Sequence, residues 1–216
     1  MCLIIMNDLT RIYEGVRLGK NVQIGDFCVI GLPPDGTKEG DLETVIGDDS
    51  IIRSHAVIYA GNRIGSNAMI GHHVVIRENN EIGDRFKIGS FGEVAFNTRI
   101  GNNVSFHSDC HVFEETVIED GVRFNPGVYV LNTKFPYRPG KKPIIEGVHI
   151  GERAIIAARS ILMPGIIVGR CAMVGAGSLV TKDVPEYAVV FGRPARFYRD
   201  IRELKDEEGE SHYKFD

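Results

Sequence analysis

The sequence predicts an all-β fold, a parallel β-helix of hexapeptide repeats, and three observations lead to it. Residues 46–130 carry an aliphatic residue or Phe at every sixth position without interruption. Gly often follows that residue, and turn-forming pairs such as Ser66-Asn67 and Asn102-Asn103 separate successive repeats. A fixed short period of this kind is the signature of a solenoid. The periodic positions are Ile46, Ile52, Ile58, Ile64, Ile70, Ile76, Ile82, Ile88, Val94, Ile100, Phe106, Val112, Ile118, Phe124 and Val130.

Side-chain alternation explains why this repeat suits a prism-shaped coil. A second, generally smaller residue follows each periodic residue by four positions, as Ser50 and Ala56 do. Because side chains alternate along a strand, this residue and the next aliphatic residue point into the same core. Three hexapeptides then make one triangular coil, so that residues eighteen apart stack on one face. An α-helix would need apolar residues at spacings of three and four, which the run lacks.

The chain is predicted to form a β-helix domain over residues 1–196, followed by a C-terminal segment over residues 197–216. Residues 1–11 are a lead-in. The Pro/Gly/Asp-rich residues 31–44 and residues 131–143 interrupt the repeat and predict loops that protrude from the prism. The repeat is expected at Ile12, Leu18, Ile24 and Ile30 before the long run, and after the second loop at Ile144, Ile150, Ile156, Leu162, Val168, Val174 and Val180.

The end of the chain predicts a different element. Residues 195–210 are predicted to form a short helix with an acidic end, and the last six residues are predicted to form a frayed tail. We expect the lead-in and this helix to cover the two ends of the β-helix, because an exposed sheet edge invites further strand pairing.

Composition narrows the classes of partner. The net charge of −4 comes with no long basic run, which argues against a nucleic-acid partner. No apolar stretch approaches the roughly 18 residues of a membrane span, and the N-terminus lacks the pattern of a signal peptide. The four cysteines, which are Cys2, Cys28, Cys110 and Cys171, show no metal or pairing pattern. We expect core roles for Cys28 and Cys110, which occupy the small inward position of the repeat, and a cytoplasmic protein.

A candidate site lies where the outward positions change character. Between residues 106 and 130 Gly gives way to His107, His111, Asn125 and Tyr129. Stacking by eighteen places Glu93, His111 and Tyr129 in one outward column and Gly89, His107 and Asn125 in another. Two imidazoles near a carboxylate and a Tyr suit general base chemistry near neutral pH, so His107 and His111 are the candidate catalytic residues. The alternative is that these histidines are exposed and have no role.

A track of small residues is the second candidate feature. Ala157 and Gly175 are eighteen residues apart and should stack, so that an extended ligand could lie against the backbone. Counting from Ile144 puts this ridge in the column of Phe113 and Leu131. Packing between coils alone is the alternative explanation for the small residues. Beyond the ridge lie basic residues suited to phosphate groups, which are Lys182, Arg193, Arg196 and Arg199.

Residues 12–196 resemble the hexapeptide-repeat acyltransferases. The ending VGAGSLVTKDVPEYAVVFGRPAR, residues 174–196, is similar to the terminal coil of that family, and residues 123–139 are similar to the loop-bearing coil of members that N-acetylate nucleotide-linked amino sugars. The resemblance implies a left-handed β-helix and a homotrimer with acetyl-CoA between subunits. It also implies that Ala157 and Gly175 line the pantetheine, that Lys182 and Arg193 lie near the CoA phosphates, and that Asn132 lies near the thioester or the acceptor.

The leading hypothesis is an acetyl-CoA-dependent N-acetyltransferase for an amino sugar, nucleotide-linked, in surface-polysaccharide biosynthesis, with no metal. O-acetylation of a sugar remains open, although Phe135 stands where the galactoside and maltose O-acetyltransferases carry a catalytic His. A zinc hydratase of the γ-carbonic anhydrase type fits worse. His107 and His111 are four apart, whereas that family spaces two ligands by five. A non-catalytic trimeric scaffold is the remaining alternative.

Overall fold

The computed structural model describes residues 9–135, 139–205, 207–210 and 213. Within these ranges nearly every regular element is a short parallel strand, and the strands form three sheets that run along the solenoid. Within the regular coils each strand pairs with the strand one coil away, as Ile76 pairs with Val94. The predicted fold class, a left-handed parallel β-helix, is confirmed.

The strands are grouped here by sheet. Sheet 1 contains Arg11–Ile12, Val29–Leu32, Val57–Tyr59, Val75–Ile76, Glu93–Val94, His111–Val112, Tyr129–Val130, Ile161–Leu162 and Leu179–Val180. Sheet 2 contains Val16–Leu18, Thr44–Ile46, Arg63–Ile64, Glu81–Ile82, Arg99–Ile100, Val117–Ile118, His149–Ile150 and Ile167–Val168. Sheet 3 contains Gln23–Ile24, Ile51–Ile52, Met69–Ile70, Lys87–Ile88, Ser105–Phe106, Arg123–Phe124, Ile155–Ile156, Met173–Val174, Ala188–Gly192 and Ala195–Asp200. A 3-10 turn follows at Ile201–Glu203.

The core is a column of periodic side chains inside the prism. Every residue of the fifteen-member repeat is buried, and so are its smaller partners such as Ser50 and Ala56. Phe106 and Phe124 stack inside the prism with ring centroids 4.5 Å apart. Because these two residues immediately precede His107 and Asn125, their packing fixes the coils that carry the candidate site.

Buried polar side chains join successive coils along one interior line. The carboxamide of Asn62 accepts a hydrogen bond from the backbone N–H of Asn80 at 3.0 Å, and Asn80 accepts from the N–H of Thr98 at 2.8 Å. All three residues are essentially inaccessible to solvent. These bonds satisfy backbone donors that the short strands leave unpaired at the corners.

The second loop is longer than predicted, and this corrects the register of everything after it. Val117 pairs with His149, thirty-two residues later instead of eighteen, so the loop inserts fourteen residues. The expected repeat position Ile144 is 41% exposed, and the periodic core resumes at Ile150. The loop is therefore longer than the predicted residues 131–143. Its base is closed by an antiparallel bridge between Thr133 and Ile145. The first loop lies between Val29–Leu32 and Thr44–Ile46, close to the predicted residues 31–44.

The predicted C-terminal helix over residues 195–210 is wrong. Ala195–Asp200 is a strand that pairs antiparallel with Ala188–Gly192, and only the turn Ile201–Glu203 is helical among the described residues there. The aromatic pair Phe197 and Tyr198 favours a strand, and pairing with the last coil supplies the hydrogen bonds that a helix would have made internally. This hairpin pairs with Met173–Val174 and extends the last coil of sheet 3.

No helix in the described ranges is long and apolar enough to cross a membrane.

Candidate active site

One outward column joins the small-residue ridge to His107. The backbone N–H of His107 donates to Phe124 O at 2.9 Å, that of Asn125 to Ile156 O at 2.9 Å, and that of Ala157 to Val174 O at 2.8 Å. Gly89, His107, Asn125, Ala157 and Gly175 therefore follow one another on successive coils at the end of the sheet 3 strands.

The predicted position of the ridge is corrected by this column. The ridge was expected to continue the column of Phe113 and Leu131, which lies at the end of the sheet 1 strands. Counting the repeat from Ile144 in place of Ile150 shifts every later residue by one face of the prism. Packing between coils also requires a small residue on the ridge, because a Cβ on Gly175 would lie only 2.7 Å from Phe191 Cβ.

His107 is exposed, and its ring is oriented by the backbone of the next residue. The N–H of Ser108 donates to His107 Nδ1 at 2.8 Å. The neutral ring therefore carries its proton on Nε2, which makes the outer edge of this imidazole a hydrogen-bond donor. In this orientation the ring is suited to donating to an oxygen, whereas taking a proton from an amine would require a free lone pair.

His111 is held between two carboxylates. Its Nδ1 lies 3.3 Å from Glu93 Oε2, and its Nε2 lies 3.1 Å from Asp109 Oδ1. The Tyr129 ring stacks on the imidazole with centroids 4.7 Å apart, and the Tyr129 hydroxyl donates to Asp109 Oδ1 at 3.5 Å. Burial and the Asp109 carboxylate raise the pKa of Tyr129, so this hydroxyl remains a donor at neutral pH. The predicted column of Glu93, His111 and Tyr129 is confirmed.

Asp109 lies beside the two candidate histidines, although the sequence pattern does not single it out. It occupies the turn between His107 and His111 with a φ of 59°, a conformation that Asp tolerates better than most residues. The signal that could have found it is its place between the two histidines, at the corner that both flank.

Asn132 does not join the other candidates within one chain. It is buried, its side-chain amide donates to the Glu114 carboxylate, and its backbone carbonyl oxygen accepts from the backbone N–H of Glu146 at 2.7 Å. Asn132 therefore closes the base of the second loop at the edge of sheet 1 that lies away from Asp109.

The basic residues gather beyond the ridge. Arg193 donates through Nε to Gly177 O at 2.7 Å, two residues past Gly175. Lys182 and Arg196 line a depression of about 260 Å³ together with Phe197. Arg199 lies over the ring of Tyr198, 4.3 Å from its centroid. Cationic side chains thus lie near the end of the ridge that is farthest from His107.

No group of three or more His, Cys, Asp or Glu side chains in the described part of the chain is arranged to hold a metal ion.

Comparison with known proteins agrees with this architecture. Residues 43–78 match the model of the family described as bacterial transferase hexapeptide (six repeats). This match covers 36 of the 216 residues of the chain. A UDP-N-acetylglucosamine acyltransferase from Bacteroides fragilis 9343 has a similar fold, with a TM-score of 0.66 and 22% identity over 91% of this chain and 74% of that one.

Two curated proteins are similar to parts of this chain. A dTDP-3-amino-3,6-dideoxy-alpha-D-galactopyranose 3-N-acetyltransferase of Aneurinibacillus thermoaerophilus is 56% identical over 43 residues, which are 20% of this chain and 22% of that protein. A galactoside O-acetyltransferase of Lactococcus lactis is 35% identical over 86 residues, 38% of this chain and 42% of that protein. The matches therefore span less than half of either relative.

Proposed function

We propose that this protein is an acetyl-CoA-dependent N-acetyltransferase that acts on a nucleotide-linked amino sugar in surface-polysaccharide biosynthesis. The observation that carries the proposal is the column in which Gly175 and Ala157 lead to Asn125 and His107. An extended thioester arm on this ridge would bring its acyl group to two polar side chains. The N-acetyltransferase name of the relative that is 56% identical over 43 residues supports an amine acceptor.

The binding roles follow from position along the column. Ala157 and Gly175 contact the pantetheine, and Lys182 and Arg193 bind the phosphates of CoA beyond the ridge. Asn125, Tyr129 and Glu93 contact the acceptor. Asn132 lies at the other edge of sheet 1, so in this proposal it serves the site of a neighbouring subunit of a homotrimer.

His107 acts on the thioester in this proposal. When the amine attacks, negative charge develops on the thioester oxygen, and a donor aimed at that oxygen stabilises the transition state. The Nε2–H of His107 supplies such a donor because Ser108 holds Nδ1 as the acceptor. The ridge that binds acetyl-CoA and the residues that contact the acceptor also bring the nucleophile and the thioester together, which lowers the entropic part of the barrier.

Substitution of His107 tests this role. His107→Ala should lower kcat by about 10²-fold, the usual loss for one oxyanion donor. His149→Ala is the matched control, since His149 is also exposed but lies on sheet 2, paired with Glu119 at 2.7 Å. Its turnover should equal that of the wild type. An unchanged rate in His107→Ala would remove His107 from the mechanism.

O-acetylation of a sugar is the second candidate, because 86 residues are 35% identical to a galactoside O-acetyltransferase. Release of the CoA thiol from acetyl-CoA, measured against nucleotide-linked amino sugars and against galactosides, separates the two. We expect turnover with a dTDP-linked amino sugar. Transfer to galactosides alone would replace the N-acetyltransferase by an O-acetyltransferase, and failure to bind acetyl-CoA in calorimetry would leave a non-catalytic scaffold.

A further inference from the structure

The corner between sheets 3 and 1 carries an oriented carboxylate beside the proposed acyl position. Asp109 Oδ1 has two neighbours that can donate to it, His111 Nε2 at 3.1 Å and the Tyr129 hydroxyl at 3.5 Å. His111 is itself steadied by Glu93 at 3.3 Å and by stacking on Tyr129. Three side chains from three successive coils thus fix one carboxylate whose own side chain is 60% exposed.

The second oxygen of Asp109 faces a notch in the corner. Gly127 lies one coil above Asp109, and a Cβ at that position would be 3.7 Å from Asp109 Oδ2 and 3.3 Å from Arg159 Cγ. Because Gly127 has no side chain, it leaves a narrow gap beside the carboxylate, which the base of the Arg159 side chain borders closely. The notch lies two residues from Asn125, and therefore beside the column that carries His107 and Ala157.

The histidines leave the proton of the attacking amine without an acceptor. His107 uses Nδ1 to accept from Ser108, and both ring nitrogens of His111 face carboxylate oxygens. A carboxylate oxygen has several lone-pair directions and can accept from an N–H while its partner oxygen is already bonded. Asp109 Oδ2 is such an oxygen at the notch.

We infer that Asp109 is a catalytic residue that binds the acceptor amine at the Gly127 notch and takes its proton, an inference that rests on the proposed N-acetyltransferase function. The nitrogen lone pair forms the N–C bond to the thioester carbon, and the C–S bond breaks with its electron pair going to sulfur. One N–H proton passes to the Asp109 carboxylate and leaves with the CoA thiolate as the thiol. His111 is a positioning residue that holds the carboxylate, and Tyr129 holds it as well through its hydroxyl, in addition to contacting the acceptor.

Replacement of the carboxylate by its isosteric amide tests the inference. Asp109→Asn keeps the size of the side chain, and Asn also tolerates the φ of 59° at this turn. With the most active amine of the acceptor panel, kcat should fall by about 10²-fold, a typical contribution of one general base. The KM for acetyl-CoA and the melting temperature should not change.

Asp49→Asn is the matched control. Asp49 also occupies a turn with positive φ (57°), and it accepts from Asn21 at 3.0 Å on a corner away from the site. Its kcat should equal that of the wild type. Tyr129→Phe provides a second variant that keeps the stacked ring and removes one hydrogen bond to Asp109, and it should lower kcat several-fold with an unchanged KM for acetyl-CoA.

The outcomes separate this inference from the proposed function. A wild-type protein that releases CoA with amine acceptors, combined with an Asp109→Asn variant within twofold of its kcat, overturns the role of Asp109 alone. A wild-type protein that binds no acetyl-CoA, or transfers acetyl only to hydroxyl groups, overturns the proposed function and the inference with it. The expected pattern is an active wild type, an active Asp49→Asn and a deficient Asp109→Asn.

Discussion

Removal of the Asn80 carboxamide should destabilise the β-helix far more than removal of a half-buried Asn that makes a similar bond at the surface. Asn80 Oδ1 accepts from the Thr98 backbone N–H at 2.8 Å and from the Thr98 hydroxyl at 2.9 Å. Asn80→Ala leaves this N–H without its partner in the interior, and an unsatisfied buried group costs about 1–3 kcal/mol. The Thr98 hydroxyl loses the same acceptor, and together with the lost packing we expect about 2–4 kcal/mol.

Asn102 provides the matched control. Its Oδ1 accepts from the Asp84 N–H at 2.9 Å, eighteen residues earlier, but this bond lies at an exposed corner. Water can replace the side chain there, so Asn102→Ala should cost about 1 kcal/mol or less. The two variants therefore differ mainly in whether the orphaned N–H can reach solvent.

Urea unfolding followed by circular dichroism measures the difference. Both variants should keep the m-value of the wild type, so that the shift in midpoint reports stability alone. A solenoid can open coil by coil, and a lowered m-value in Asn80→Ala would show that the coils around residue 80 unfold separately. Equal losses in the two variants would refute the claim that buried amides hold the coils together.

Two further predictions concern the ridge and the C-terminal turn. Ala157→Tyr should raise the KM for acetyl-CoA at least tenfold with an unchanged melting temperature, because the new ring would occupy the proposed path of the thioester arm; an unchanged KM would place that arm elsewhere. Hydrogen bonds from the side chain and backbone of Arg202 lower the pKa of Asp200 from 3.8 to about 2. Asp200 caps the turn Ile201–Glu203 by accepting from the Arg202 backbone N–H, and this bond should be intact above about pH 4 and lost as the pH falls through about 2. The Arg202 amide shift in NMR reports the loss, and Asp200→Asn abolishes the transition. A transition centred near pH 4 would contradict it.

Several features could be predicted because they lie inside one unbroken run. Within residues 46–130 the spacing of eighteen decides which side chains stack, since nothing there alters the count. The columns of Glu93, His111 and Tyr129 and of His107 and Asn125 follow from arithmetic on the sequence. The burial of the periodic aliphatic residues follows in the same way from strand alternation.

The C-terminal strand shows where local signals fail. Ala195–Asp200 lies beside charged residues that favour a helix, and its strand conformation depends on pairing with Ala188–Gly192, which itself extends the last coil. Asp109 shows the same limit for the site. Its position in the chain was visible, but the direction of its carboxylate is set by His111 and Tyr129 on other strands.

The β-helix, the corner that carries His107 and His111, and the small residues Ala157 and Gly175 could all be read from the order of the amino acids. That these small residues continue the column of His107 became visible only from the pairing of the coils. The six-residue period is the same on all three faces of the prism. After an irregular loop, the period therefore does not show to which face the next strand belongs. The pairing of Val117 with His149 restores this information. It shows that the loop inserts fourteen residues, which the period alone does not reveal.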